Sequence, residues 1–138
     1  MNSATLLLRQ IHPAWVQRGR FTSQAFRPTR KDEYSLSVYD GDLVTAEGSW
    51  EHYTVQQGFD SAGVAGVTVE ECEDLDLAAE SDPAPFPAHA VVRFDGHSNS
   101  QIATKAKHLK RAAAQRGWQY RADAEQQRTG KLSPLRGA

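Results

Sequence analysis

Six side chains within the first 39 positions carry the chemistry this chain offers most openly: Arg9, His12, Ser23, Gln24, Arg27 and Tyr39. Two guanidinium groups beside an imidazole, a hydroxyl and an amide suit recognition of an anion, because a guanidinium presents a fork of N–H donors that matches a carboxylate or phosphate. Tyr39 adds an apolar ring and a polar tip. With Glu51 the same residues allow an enzymatic alternative. Arg9 and His12 would clamp a nucleotide-type substrate, Tyr39 would stack or hydrogen-bond, and Glu51 would act as the acid. A purely structural account competes with both: Arg9 and Arg27 pair with acids of 40–82, Tyr39 packs at a strand edge, and Glu51 is solvated.

No Gly-rich phosphate loop, CxxC pair, HExxH or GxSxG stretch is present. The five histidines, His12, His52, His89, His97 and His108, fall on different elements without metal-ligand spacing, so neither a metal nor a cofactor is expected. The single cysteine, Cys72, excludes an internal disulfide and a cysteine-based zinc site and agrees with a reducing compartment. It stands among Glu70, Glu71, Glu73 and Asp74, whose charges oppose thiolate formation, so a small buried residue is expected there. Lys105, Lys107, Lys110 and Arg111, followed by Trp118, offer a third reading, nucleic-acid binding by positive charge and stacking.

The net charge of −1 conceals a strong asymmetry. Residues 1–39 carry six basic and two acidic side chains, 40–82 carry twelve acidic and no Lys or Arg, and 101–138 carry nine basic against two acidic. Either these regions face each other in the fold, or a basic surface meets an anionic partner. At 138 residues the chain is the size of one domain. No apolar run approaches the roughly 20 residues that cross a bilayer, and Leu6-Leu7-Leu8 is too short for a signal-peptide core. A cytoplasmic protein without a membrane partner is expected.

These residues need a scaffold, and the apolar pattern supplies one. Ala4 to Arg9 reads as a buried strand, Phe21 to Phe26 as extended, and Arg27 to Glu33 as a loop. Tyr34 to Tyr39 alternates large and small side chains, the clearest strand pattern in the chain. The Asp40-Gly41 turn leads to a helix capped by Asp42 or Thr45 and stopped at Gly58, with Val44, Trp50 and Tyr53 facing inward. Ser61 to Val69 reads as a central strand, and Thr68 with Glu71 as a capping box. Leu75 to Ala79 and His89 to Phe94 read as strands flanking the proline-rich 82–87. A basic amphipathic helix follows, capped by Ser98, Asn99 or Ser100 and ending at Gly117, with Ile102, Ala106, Leu109 and Ala113 as its apolar stripe. Trp118 and Tyr120 form a last strand, and 123–138 reads as a disordered basic tail. The expected fold is α+β: one domain over 1–122, with a small mixed sheet, one mid-chain helix and the C-terminal basic helix.

Two resemblances accompany this reading. A strand-borne Arg or His, a Tyr on a second strand and a later Glu resemble ADP-ribosyltransferase folds, which implies a dinucleotide clamp and a carboxylate that stabilises an oxocarbenium charge. The pieces His12-Pro13-Ala14-Trp15, Thr22 to Thr29, Leu36 to Gly41 and Trp118-Gln119-Tyr120 resemble those of a group of small, stand-alone bacterial proteins of unassigned function. That likeness spans roughly residues 6–121 and implies a bacterial accessory protein. The preferred expectation is therefore a non-enzymatic binding or adaptor protein that recognises a protein partner or an anionic ligand through Arg9, His12, Arg27 and their neighbours.

Overall fold

The computed structural model describes residues 1–122; the tail expected at 123–138 lies outside the described residues. In chain order the strands are β1 (Leu6–Ile11), β2 (Val16–Gln17), β3 (Arg20–Phe21), β4 (Ser35–Asp40), β5 (Gly63–Thr68), β6 (Ala78–Ser81), β7 (His89–Arg93) and β8 (Tyr120–Arg121). The α-helices are α1 (Ala46–Glu51), α2 (Val69–Glu73) and α3 (Asn99–Arg116). Six strands make one sheet in the order β6-β7-β4-β1-β5-β8, and β2 and β3 form a separate ribbon.

The α+β class is as the sequence implies, but each pairing is antiparallel where a mixed sheet was expected. The reason lies in the placement of β1. Both β4 and β5 are antiparallel to β1, so they run parallel to each other, joined by the segment that contains α1. They never pair, because β1 lies between them.

Period-2 alternation sorts the side chains to two faces. Leu7 and Ile11 of β1, Leu36 and Val38 of β4, and Ala65 and Val67 of β5 meet Ile102, Ala106, Leu109 and Ala113 of α3 in the larger core. Leu8, Tyr39 and Val64 meet Val44, Trp50 and Tyr53 in a smaller cluster on the other face. Each helix is held by its cap. Ser98 caps α3 in a full capping box with Gln101, and Thr68 with Glu71 does the same for α2. Thr45, rather than Asp42, caps α1 by accepting from the Gly48 amide at 3.0 Å. A buried polar link fastens α1 to the sheet: Gln10 donates to Ser49 and accepts from Ser61, each at 2.9 Å.

Three local features shape the rest of the chain. Ser23–Phe26 is a short 3-10 helix rather than extended chain, and it packs against α3. Arg18 and Gly19 both have positive φ and form the two-residue turn of the β2–β3 ribbon. The mid-chain helix widens after Glu51 into a π-helical turn over His52–Gln56, with His52 and Tyr53 half-buried beside the sheet. Such widened turns are frequent at functional sites.

The acidic and basic regions do meet within one chain. Arg116 of α3 forks onto the Glu71 carboxylate at 2.9 and 3.1 Å and donates to the Gly66 carbonyl at 2.9 Å. Burial raises the Glu71 pKa, but hydrogen bonds from Arg116 and the Thr68 amide outweigh it and hold the carboxyl below its ordinary value. A depressed carboxylate stabilises the fold above its unfolded pKa, and that contribution is lost as pH falls through the folded pKa. Urea midpoints of the wild type should therefore drop on acidification through the carboxylate range, and Glu71→Gln should flatten that drop. The expected difference is under about 1 kcal/mol, because the pair is still partly exposed and screened. Identical acid profiles for the two proteins would refute the assignment.

Candidate functional site

The two sides of β1 are not equally closed. Its ladder with β5 runs over six residue pairs, Leu6–Thr68 to Ile11–Gly63, whereas that with β4 is registered only at Leu7–Asp40 and Leu8–Tyr39. Beyond Leu8 the Arg9 side chain bridges the strands. Its Nε donates to the Ala25 carbonyl at 2.8 Å and its Nη1 to the Ser37 carbonyl at 2.9 Å, while the guanidinium lies 5.2 Å from the centre of the Trp15 ring. A pocket of about 440 Å³ opens at this split, within the range typical of small-molecule sites.

Arg9, Gln10, Ser35, Ser37, Tyr39, Gln57 and His89 supply polar groups, with Asp32 as the acid; Trp15, Tyr53, Phe59 and Phe86 are the other aromatic residues of the lining. Tyr39 is the hinge of the aromatic wall. Its hydroxyl is 2.7 Å from His52 Nδ1, and its ring is 5.1 Å from Phe86. Burial, then the nearby Tyr53, push the Tyr39 pKa up, so the phenol stays a neutral hydrogen-bonding group. Phe59, 54% exposed, stacks on Tyr53 at 5.1 Å beside the pocket.

Arg9 is a cation under desolvation. Burial lowers its pKa to about 10, against smaller opposing effects of Tyr53 and Asp32. It remains charged at neutral pH, and among the described residues no carboxylate approaches it within salt-bridge distance. The pairing of Arg9 with acids of 40–82 is thus not realised; two backbone carbonyls hold it instead. No protein-family model, curated protein or solved structure matches the chain.

Of the six residues singled out in the N-terminal half, only Arg9 and Tyr39 line this pocket. His12 is exposed, and its Nδ1 accepts from the Ala14 amide at 3.0 Å, capping the 3-10 turn Pro13–Trp15. Ser23 begins the 3-10 helix that carries Ala25. Gln24 and Arg27 line a separate, shallower concavity with Arg30 and Asn99. Glu51 is exposed on α1 and is not among the pocket residues. The Arg9–His12–Tyr39–Glu51 cleft of the enzymatic alternative is therefore not assembled. The π-turn places His52, not Glu51, against Tyr39.

The basic helix distributes its charge. Lys107 and Arg111 are exposed, Lys105 and Lys110 half-buried. Lys110 and Trp118 share a concavity with Arg20 and Arg121, but the indole is already engaged: its Nε1 donates to the Gly19 carbonyl at 3.2 Å, and Arg121 lies 4.9 Å from the ring centre. Cys72 is fully buried, and burial followed by Glu71 and Glu73 push its thiol up to about 12. Among the described residues no three His, Cys, Asp or Glu side chains are grouped to hold a metal, and no helix is long and apolar enough to cross a membrane.

Asp32, His52, Phe86 and His89 were missed by the sequence reading. Phe86 carried a signal, a lone aromatic among three prolines, where an exposed loop has no core reason for one. Ser37 was legible as one of the small side chains alternating with Leu36 and Val38. Two consecutive left-handed residues, Glu33 and Tyr34, swing Asp32 to the pocket, and no local pattern announces them.

Proposed function

We propose that this protein binds a small organic anion, with a carboxylate or phosphate on Arg9 and an apolar body against Trp15, Tyr53 and Phe86. The observation that carries the reading is Arg9 itself: a half-buried guanidinium lining a concave aromatic pocket, with no carboxylate in salt-bridge range among the described residues. Of the two ligand classes the sequence left open, a protein partner or an anionic ligand, the concavity favours the second. Protein partners engage broad surfaces of roughly 800 Å² per side, whereas this pocket is a concavity of about 440 Å³ lined by aromatic and strand residues. Stretches distant in sequence converge on it: Trp15 from one, Leu36 to Tyr39 from another, and Tyr53 to Phe59 from a third.

The test uses 8-anilinonaphthalene-1-sulfonate, an aromatic anion, followed by its fluorescence on titration. Arg9→Gln should weaken binding about 10- to 100-fold, the magnitude of one charged hydrogen-bonded contact. Circular dichroism and a urea midpoint establish that the variant is folded. Equal affinity of folded Arg9→Gln and wild type would overturn the proposal, as would failure of the wild type to bind the probe.

A further inference from the structure

Ser37 and His89 line the pocket and, with Asp82 on the other side of the imidazole, form a set of groups that binding alone does not use. In the β4–β7 ladder Ser37 faces Val91 and Tyr39 faces His89, so Ser37 and His89 are diagonal neighbours on the same face. His89 Nε2 lies 3.3 Å from Ser37 Oγ. His89 Nδ1 lies 2.9 Å from the Asp82 carbonyl oxygen and 3.3 Å from Asp82 Oδ2. Since among the described residues Nδ1 meets only acceptors, it carries the ring proton. Nε2 is then left with its lone pair towards the Ser37 hydroxyl, the tautomer a general base requires.

The surroundings hold this arrangement. The Asp82 amide donates to the His89 carbonyl at 2.9 Å and the His89 amide to the Phe86 carbonyl at 3.0 Å, closing the 82–89 loop, which Pro83, Pro85 and Pro87 stiffen. The Phe86 ring packs across the imidazole at 5.1 Å. Ser37 is exposed on the pocket wall, and Arg9 already donates to its carbonyl, bringing positive charge to the same residue.

We propose that Ser37 is a nucleophile towards esters bound in this pocket, with His89 as general base and Asp82 as the positioning residue. The Ser37 Oγ–acyl carbon bond forms as the hydroxyl proton passes to His89 Nε2, and the ester C–O bond breaks as the leaving alcohol takes that proton. Water then attacks the acyl-serine, giving its proton to His89. The acid departs, and the proton returns from His89 to Ser37. This activity rests on the binding reading only for its substrate class, an ester whose acyl part is apolar or bears an anion for Arg9.

The probe is diisopropyl fluorophosphate, small and uncharged, read by intact mass and peptide mapping. Labelling forms the Ser37 O–P bond, expels fluoride and transfers the proton to His89. Wild type should acquire one adduct at Ser37, and Ser37→Ala none. His89→Gln should be labelled about 100-fold more slowly or less, the scale of a lost general base. Asp82→Asn should be slowed about tenfold and restored in part by Asp82→Glu, which a merely structural aspartate would not show. Circular dichroism of each variant separates lost chemistry from lost fold. Absence of an adduct, or labelling of folded His89→Gln at the wild-type rate, would reduce the set to a structural hydrogen-bond chain. The two proposals fail separately: an adduct without binding of the anilinonaphthalene probe overturns only the anion site, and the reverse overturns only the nucleophile.

Discussion

Phe26→Ala should destabilise the protein by about 3–5 kcal/mol, the range for removing a buried phenylalanine side chain. Phe26 is fully buried in the larger core at the end of the Ser23–Phe26 3-10 helix, with its ring 6.2 Å from Phe21 and edge-on to it. That short helix packs on α3, so the cavity would open between α3 and the segment that also presents the Ala25 carbonyl to Arg9. Urea unfolding followed by tryptophan emission checks it. The midpoint should fall with the slope unchanged, which marks a change in stability rather than in cooperativity. Arg27→Ala, its exposed neighbour, is the control and should stay within about 0.5 kcal/mol of wild type. A loss below about 1 kcal/mol for Phe26→Ala would show that this segment does not pack as described. The loss should also weaken the anilinonaphthalene probe, because Arg9 is bonded to the adjacent residue.

Gly63→Ala should cost about 3 kcal/mol or more, at or above the upper end of ordinary overpacking. A Cβ at this position would run into the Tyr120 carbonyl oxygen and would lie 2.9 Å from two carbons of the Trp118 ring. Backbone and a ring edge cannot yield as the end of a flexible side chain can. The strand pair β5–β8, registered at Gly63–Arg121 and Val64–Tyr120, must therefore separate. Trp118 is held by its bond to Gly19 and by the edge of Phe21 at 5.0 Å, so moving it also disturbs the β2–β3 ribbon. Gly58, around which an added Cβ meets nothing within 4 Å, is the comparison, although its φ of 78° adds strain of its own. Thermal and urea unfolding of the two variants should rank Gly63→Ala as the more damaged. The opposite order would mean that β8 is not seated on β5 as found.

The residues that encode the elements could be read because they act locally. Period-2 alternation over Tyr34 to Tyr39, the Thr68–Glu71 and Ser98–Gln101 capping boxes, and the Ile102-Ala106-Leu109-Ala113 stripe each depend on neighbours within a turn or two of chain. The same logic failed at Phe21 to Phe26, which read as an extended segment but holds a 3-10 helix over Ser23–Phe26. Packing against α3 decided a 3-10 turn, and nothing within those residues distinguishes the two.

The candidate site divides along the same line. Arg9 and Tyr39 stood out as a cation and a phenol on adjacent strands, and the structure places both at one pocket. His12, Ser23, Gln24, Arg27 and Glu51 were grouped with them by proximity in sequence and type, and they point elsewhere. Side-chain direction depends on register and helix pitch, and neither is a property of composition. A widened turn at His52–Gln56 exchanged Glu51 for His52. The early end of the β1–β4 ladder made room for a pocket.

By itself, then, the sequence determined the α+β class, the positions of most elements, the apolar stripe of α3 and the chemical types at hand, since each follows from propensity, capping and periodicity. Tertiary structure alone decided that the sheet is antiparallel, that Arg116 meets Glu71, that Arg9 is held by the Ala25 and Ser37 carbonyls, and that Ser37, His89 and Asp82 stand in line. Those contacts join residues up to some fifty positions apart, and only the closing of the sheet and the packing of its two faces bring them within reach.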